Sequence, residues 1–460
     1  MNTKENKLTK KHLIGYTFGD LGECMTFSIM GSFLTRYYIN VALIDTALLA
    51  VLTLVWKIAD AISNPLIGMY IDKMYAKKKY KAGKFRVWML RMTPLLAITA
   101  IIVFTAPNYL DGMSKLVVVF VSYLSYTLIY NMFSIPYGSL LTAMSNNEEE
   151  RAKLSSARGM GGMFGSMIPS IFFPIIITAF SKNPQLGYGL GVTICAAVGF
   201  VLCLLSYFFT EERCGDAVKE EVQDSNFTDI FDVARKNRAF MALAIHGVFQ
   251  GITQAINMSM GTYMFTDVLG SMSLMSISSI CILPFTGAAL VCSPYLVKKM
   301  GTMKLIRGGL VIGTGVYLVL FAMHVLTNVN PMVHILMSAV GAMFTGVGTM
   351  MQWGLVGETI DYNEYLLGKR SEGTIYGTFN MLRRLGQAIG TSGSVALLGW
   401  IGYDVALSNA GLAQSAETVF GIKVLCVLVP AIVTIGSWLS FKLVWNITPE
   451  LKEKMLEKNS

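Results

Sequence analysis

Apolar stretches of about 20 residues or more recur about twelve times along this chain, separated by short hydrophilic connections. An α-helix rises about 1.5 Å per residue, so such a stretch matches the roughly 30 Å hydrocarbon core of a bilayer. Lipid offers no water to backbone N–H and C=O groups, so a span must satisfy them internally, as a helix does. The expected fold is therefore an all-α membrane protein. Hydropathy places the spans at about 13–38, 43–70, 87–106, 116–143, 157–180, 187–209, 238–265, 272–296, 304–326, 332–360, 374–402 and 418–445.

Composition agrees: 53% of the 460 residues are hydrophobic and 14% are charged, and the mean hydropathy is +0.54. The net charge of +9 does not point to nucleic acid, because the basic residues cluster in alternate connections. One set runs from Lys10 and Lys11 through Lys73–Arg86, Arg151 and Lys153, Arg213–Arg238, Lys298–Lys304 and Lys369–Arg370 to the lysine-rich tail, while the other holds little beyond Lys115 and Lys182. By the positive-inside rule this is a multi-pass cell-membrane protein with both termini cytoplasmic, and its large partner is the lipid bilayer. The expected organisation is a six-helix half over 1–209, a cytoplasmic linker over 210–237, a second six-helix half over 238–446 and a tail over 447–460. A short surface helix fits Phe227–Val233, although a solvated linker suits that composition better. Gly68-Met-Tyr-Ile-Asp72 after span 2 is echoed by Pro294-Tyr-Leu-Val-Lys-Lys-Met-Gly301 after span 8.

The seven cysteines form no Cys-x-x-Cys pair, which indicates neither a disulfide framework nor a zinc site. No Walker-type loop, His-Glu-x-x-His or Gly-x-Ser-x-Gly occurs, and the four histidines have no metal-ligand spacing. The expectation is a transporter without a cofactor, not an enzyme.

Polar residues inside the spans carry the functional argument. A charge at mid-bilayer costs at least about 2.5–3.5 kcal/mol, so such residues face a bundle interior or a water-filled path. In span 2, Lys57, Asp60 and Asn64 share one helical face; they form either a locking Lys57–Asp60 ion pair or a cation site. In span 1, Asp20, Glu23 and Cys24 share a face. Glu23 either pairs with a basic residue such as Arg384 or meets substrate, and Asp20 suits gating or packing. Span 4 breaks at Pro136, and Asn131 and Ser134 precede it with oxygens for a small cation. Arg158 opens span 5 beside glycines, and an arginine fork holds carboxylate or hydroxyl oxygens bidentately. Trp353 in span 10 can stack on a sugar ring or simply pack. Asn380 and Arg384 lie on one stripe of span 11, and Asp361, Arg370 and Glu372 at the span's edge read as a gate of ion pairs.

Gly15-Tyr-Thr-Phe-Gly-Asp20, Asp60-Ala-Ile-Ser-Asn-Pro65, Gly83-Lys-Phe-Arg-Val-Trp88, Ile135-Pro-Tyr-Gly-Ser139, Asp361-Tyr-Asn-Glu-Tyr365 and Arg370-Ser-Glu-Gly373 occur in that order. Together they resemble the glycoside–pentoside–hexuronide cation symporters, a branch of the major facilitator superfamily. The resemblance implies two pseudo-symmetric halves and alternating access around a site near mid-membrane. It implies a Na⁺ or H⁺ site at Asp60, with Asn64 in place of a second carboxylate and Asn131 in place of a threonine ligand. It implies a sugar contact at Arg158 and a residue joining both sites at Arg384, with Lys57 beside the coupling site. Melibiose-type members have aspartates where this chain has Cys24 and Ser134. A more basic cavity suits an anionic sugar, and Pro136-Tyr-Gly-Ser-Leu-Leu-Thr-Ala-Met144 and Arg383-Arg-Leu-Gly-Gln-Ala-Ile-Gly390 look most like the glucuronide permease members. The expectation is a monomeric importer of a glycoside, leaning to a hexuronide, driven by H⁺ or Na⁺. Its rivals are an uncoupled facilitator or exchanger, an exporter of amphipathic compounds and a sensor that binds without transporting.

Overall fold

A computed structural model describes residues 8–77, 83–145, 148–213, 236–367, 372–448, 450–452 and 454–455. Among these residues the fold is built from twelve long helices: α1 Lys10–Arg36, α2 Thr46–Lys77, α3 Arg86–Thr105, α4 Gly112–Met144, α5 Glu148–Ala179 and α6 Pro184–Phe209, then α7 Arg238–Tyr263, α8 Ser273–Met300, α9 Thr302–Leu326, α10 Pro331–Leu367, α11 Glu372–Trp400 and α12 Ala416–Leu443. A short helix, Val405–Asn409, precedes α12. A long helix lies at each of the twelve expected positions, in the expected order. Several helices outrun their apolar cores: α2 continues to Lys77, α10 to Leu367, and α5 begins at Glu148. Backbone hydrogen bonding does not stop where lipid ends, so hydropathy locates a span better than it locates the helix ends.

Among the described residues, nine helices are long and apolar enough to cross a membrane. In α8, Ser273–Ala289 is a shorter apolar run among the described residues. The other two, α1 and α11, carry charges along their length, Asp20 and Glu23 in one and Arg383 and Arg384 in the other. Those charges are the candidate functional residues.

The chain divides into two compact units, Met1–Asp45 with Ile58–Glu220, and Thr46–Lys57 with Glu221–Ser460. The first turns of α2 group with the second unit, where Thr53 Oγ1 donates to Ser392 Oγ at 3.1 Å. Residues 214–235, most of the expected linker including Phe227–Val233, lie outside the described residues.

Within the first unit, glycines set the packing of α1 on α5. A Cβ on Gly161 would strike the Thr17 carbonyl, one on Gly162 the Asp20 carboxylate, and one on Gly165 the Leu21 carbonyl. Small residues let membrane helices approach until dispersion and polar contacts act at short range. The second unit repeats the device between α7 and α11, with Gly386 against the Val248 carbonyl and Gly390 against that of Ile252. Its core of Phe240, Leu243, Ile306, Leu355, Phe379, Phe441 and Trp445 also includes Ile447 and Met455 of the tail. Lys452 of the tail pairs with Glu358 at 2.5 Å.

The Gly83-Lys-Phe-Arg motif has a local explanation. The first N–H groups of a helix have no intrahelical partner. At the start of α3, Lys84, Phe85 and Arg86 donate theirs to the Glu212 carboxylate at 2.8, 2.7 and 2.9 Å. Gly83 has φ +99°, and a Cβ there would collide with that carboxylate. Glu212→Ala should therefore cost about 1–3 kcal/mol for the stranded donors. Thermal unfolding in detergent measures it, and an unchanged midpoint would mean the donors find other partners.

Candidate functional site

Two polar clusters lie inside the first unit. One is organised on Arg158, whose Nε donates to Asp20 Oδ1 at 3.2 Å. The glycine at 162, one turn after Arg158, is what leaves room for the Asp20 carboxylate between the helices. The guanidinium lies over the Tyr137 ring, 5.4 Å from its centroid. Tyr137 in turn stacks on Tyr16 with centroids 4.7 Å apart. Each tyrosine hydroxyl donates to the other's carbonyl, which fastens α1 to α4. About 39% of the Arg158 side chain is exposed against 11% for Asp20.

Asp20, Glu23 and Cys24 come together as their spacing predicts, with one ligand atom from each lying within 4.8 Å of the others. Cys24 Sγ donates weakly to Asp20 Oδ2 at 4.0 Å. Ser134 Oγ donates to Glu23 Oε1 at 3.2 Å, joining α4 to the cluster. Glu23 is 1% exposed, and its Oε2 accepts no hydrogen bond from any N–H or O–H among the described residues. Asp20, which the sequence assigns to gating or packing, is the direct partner of Arg158.

The second cluster joins α2 to α4. Asn131 Nδ2 donates to Asp60 Oδ1 at 2.6 Å and to Ser63 Oγ at 3.1 Å. Ser63 donates to the Asp60 carbonyl at 2.9 Å, and Asn64 Nδ2 to the same carbonyl at 2.6 Å. Asp60 and Asn131 meet as expected, while Asn64 turns its amide nitrogen back onto its own helix. Ser63 is a residue that sequence reasoning missed; its i+3 spacing from Asp60 was the available signal. Tyr137 was missed as well, because the neighbouring Pro136 drew attention to the backbone. Among the described residues no ion pair joins Lys57 to Asp60, and Lys57 is half-buried.

Asn380 and Arg384 are half-buried on α11 in the second unit. Asp361 is half-buried near the end of α10, beside Tyr362, whose hydroxyl accepts from Asn446 at 2.7 Å. Arg370 and the side chains of Trp353 and Glu372 lie outside the described residues. His246 is buried against Ser437 and the Phe441 ring, an interior residue as expected. His324 and His334, ten residues apart in sequence, meet at 3.0 Å because the turn between α9 and α10 folds one helix back on the other.

The chain matches the family model described as "MFS/sugar transport protein" over residues 15–445. It is 30% identical to an uncharacterized symporter, YjmB, of Bacillus subtilis strain 168, over 93% of this chain and 90% of that protein. It is 27% identical to the glucuronide carrier protein homolog of Escherichia coli strain K12, over 95% of this chain and 92% of that one. The crystal structure of a bacterial homolog of the human lysosomal transporter Spinster superposes with a TM-score of 0.67 at 15% identity, covering 96% of this chain and 100% of that one. This chain belongs to the MFS sugar transport family: it is a multi-pass membrane transporter with the major facilitator fold, not an enzyme.

Removing one partner of a desolvated ion pair strands the other. Partial exposure of Arg158 moderates this, so Asp20→Asn and Arg158→Gln should each cost about 1–3 kcal/mol. The double variant should lose less than the sum. Unfolding of the purified variants in detergent tests this, and additive losses would show that the pair contributes no coupling energy.

Proposed function

We propose that this protein imports a glycoside across the cell membrane by symport with H⁺ or Na⁺, and that the glycoside is a hexuronide. The observation that carries the substrate reading is Arg158, a partly exposed arginine in a membrane-spanning helix whose guanidinium pairs with the Asp20 carboxylate. A planar fork matches a uronide carboxylate bidentately and makes shorter, stronger bonds with it than with a neutral hydroxyl. Tyr137 lies against it with an aromatic face, and Ser134, which donates to Glu23, adds a hydroxyl to the cluster. The likeness to a glucuronide carrier homolog supports the same substrate class. On sequence grounds Asn380, Arg384 and Trp353 are also assigned to substrate contact, and Asp361, Arg370 and Glu372 to gating. Both termini face the cytoplasm, and the monomer is the working unit.

The cation reading rests on Asp60, Ser63 and Asn131. Asn131 donates to the carboxylate oxygen that a cation would approach. An amide also carries an oxygen, so rotation about its last bond would exchange a donor to Asp60 for a cation ligand. Asn64 supplies no charge, which leaves Asp60 to compensate the cation. A hexuronate entering with one monovalent cation moves no net charge, so the cation's concentration gradient drives accumulation, at about 1.4 kcal/mol per tenfold difference.

Vesicle assays separate the two parts. Asp60→Asn should abolish uphill uptake while leaving counterflow exchange measurable, and unchanged uphill uptake would remove Asp60 from coupling. Competition against a labelled glucuronide should favour methyl β-glucuronide over methyl β-glucoside. Arg158→Lys should reduce that preference although the charge is kept. Equal competition by both would leave a glycoside transporter without selectivity for the anion.

A further inference from the structure

The cluster around Glu23 has a charge problem that the cation site at Asp60 does not solve. Asp20 and Glu23 sit one turn apart with oxygens within 4.8 Å, out of water. Arg158 on α5 is the one cation among the described groups facing them. The others are the Tyr16 and Cys24 side chains of α1, Tyr126, Tyr130 and Tyr137 of α4, and Cys203 of α6, all neutral in ordinary conditions. Two ionised carboxylates against one guanidinium would leave a net negative charge buried in an apolar bundle, the arrangement that forces one acid of a close pair to hold a proton. Glu23 Oε2, fully buried and without a donor, is where that proton fits, because a protonated carboxyl becomes a donor toward Asp20.

We propose that Asp20 and Glu23 form a proton-binding pair, separate from the cation site at Asp60, that takes up one proton from water for each anionic substrate bound. The inference rests on the reading that a substrate carboxylate reaches Arg158. Before binding, Arg158 balances Asp20, and Glu23 is neutral. When the substrate carboxylate takes the guanidinium, Asp20 loses its counter-charge inside the bundle. A second proton then enters the pair, so substrate anion and proton arrive together and the cluster stays neutral. Release of the substrate returns Asp20 to Arg158 and frees the proton. Glu23 is a positioning and proton-holding residue in this scheme and need not touch the sugar.

The test uses purified full-length protein in detergent, weakly buffered, with a pH-indicating dye. Methyl β-glucuronide should be bound with uptake of about one proton, and its apparent Kd should rise about tenfold per pH unit wherever that proton is taken up. Methyl β-glucoside should move no proton. Uptake on binding should persist in Asp60→Asn and vanish in the double variant Asp20→Asn with Glu23→Gln, whose Kd for the glucuronide should be flat with pH. Loss of the proton in Asp60→Asn would place it at the α2 site and overturn the proposal. Glucuronide binding by the unaltered protein without proton uptake would overturn it while leaving the anion reading intact, and that arm needs no variant to fold. Preferential binding of the glucoside would overturn the anion reading and this inference with it.

Discussion

Ionised groups inside an apolar bundle must find counter-charges, and the contact of Arg158 with Asp20 is where the first unit meets that demand. The contact depends on helix packing more than on the two charges. Gly161, Gly162 and Gly165 let α5 lie so close to α1 that the carboxylate occupies the room a side chain would take. The stacked tyrosines Tyr16 and Tyr137 then set α4 beside the pair and supply the face on which the guanidinium rests. Glu23, Cys24 and Ser134 are gathered by the same three helices.

The second polar cluster works on a different principle. The Asp60 carboxylate accepts from the amide of Asn131, which also donates to Ser63, and Ser63 donates to the Asp60 backbone carbonyl. The two clusters share α4, where Asn131 and Ser134 lie three residues apart on neighbouring faces just before Pro136. A shift of that helix segment would reach both clusters.

The glycine contacts of α1 with α5 and of α7 with α11 occupy equivalent places in the two six-helix runs. The repeat is thus one of backbone packing. The polar side chains are not repeated, because the first run carries Asp20, Glu23 and Arg158 where the second carries Arg383 and Arg384. A shared scaffold with unlike polar residues suits a protein whose halves must move alike but bind differently.

Hydropathy alone was enough for the fold class, the twelve helices and their order, because a bilayer tolerates so few kinds of backbone. Charge placement marked Asp20, Glu23, Asp60 and Arg158, since an ionisable residue in an apolar helix is conspicuous wherever it points. Periodicity also placed Asp20, Glu23 and Cys24 on one face, because that relation lies within a single helix. Partners between helices were not legible. That Arg158 meets Asp20, that Ser63 and Asn131 share Asp60, that Tyr137 underlies the guanidinium, and that His324 touches His334 depend on the rotation and depth at which separate helices pack. Those are decided by glycine contacts and side-chain interlocking summed over many residues, and only the tertiary structure carries that sum.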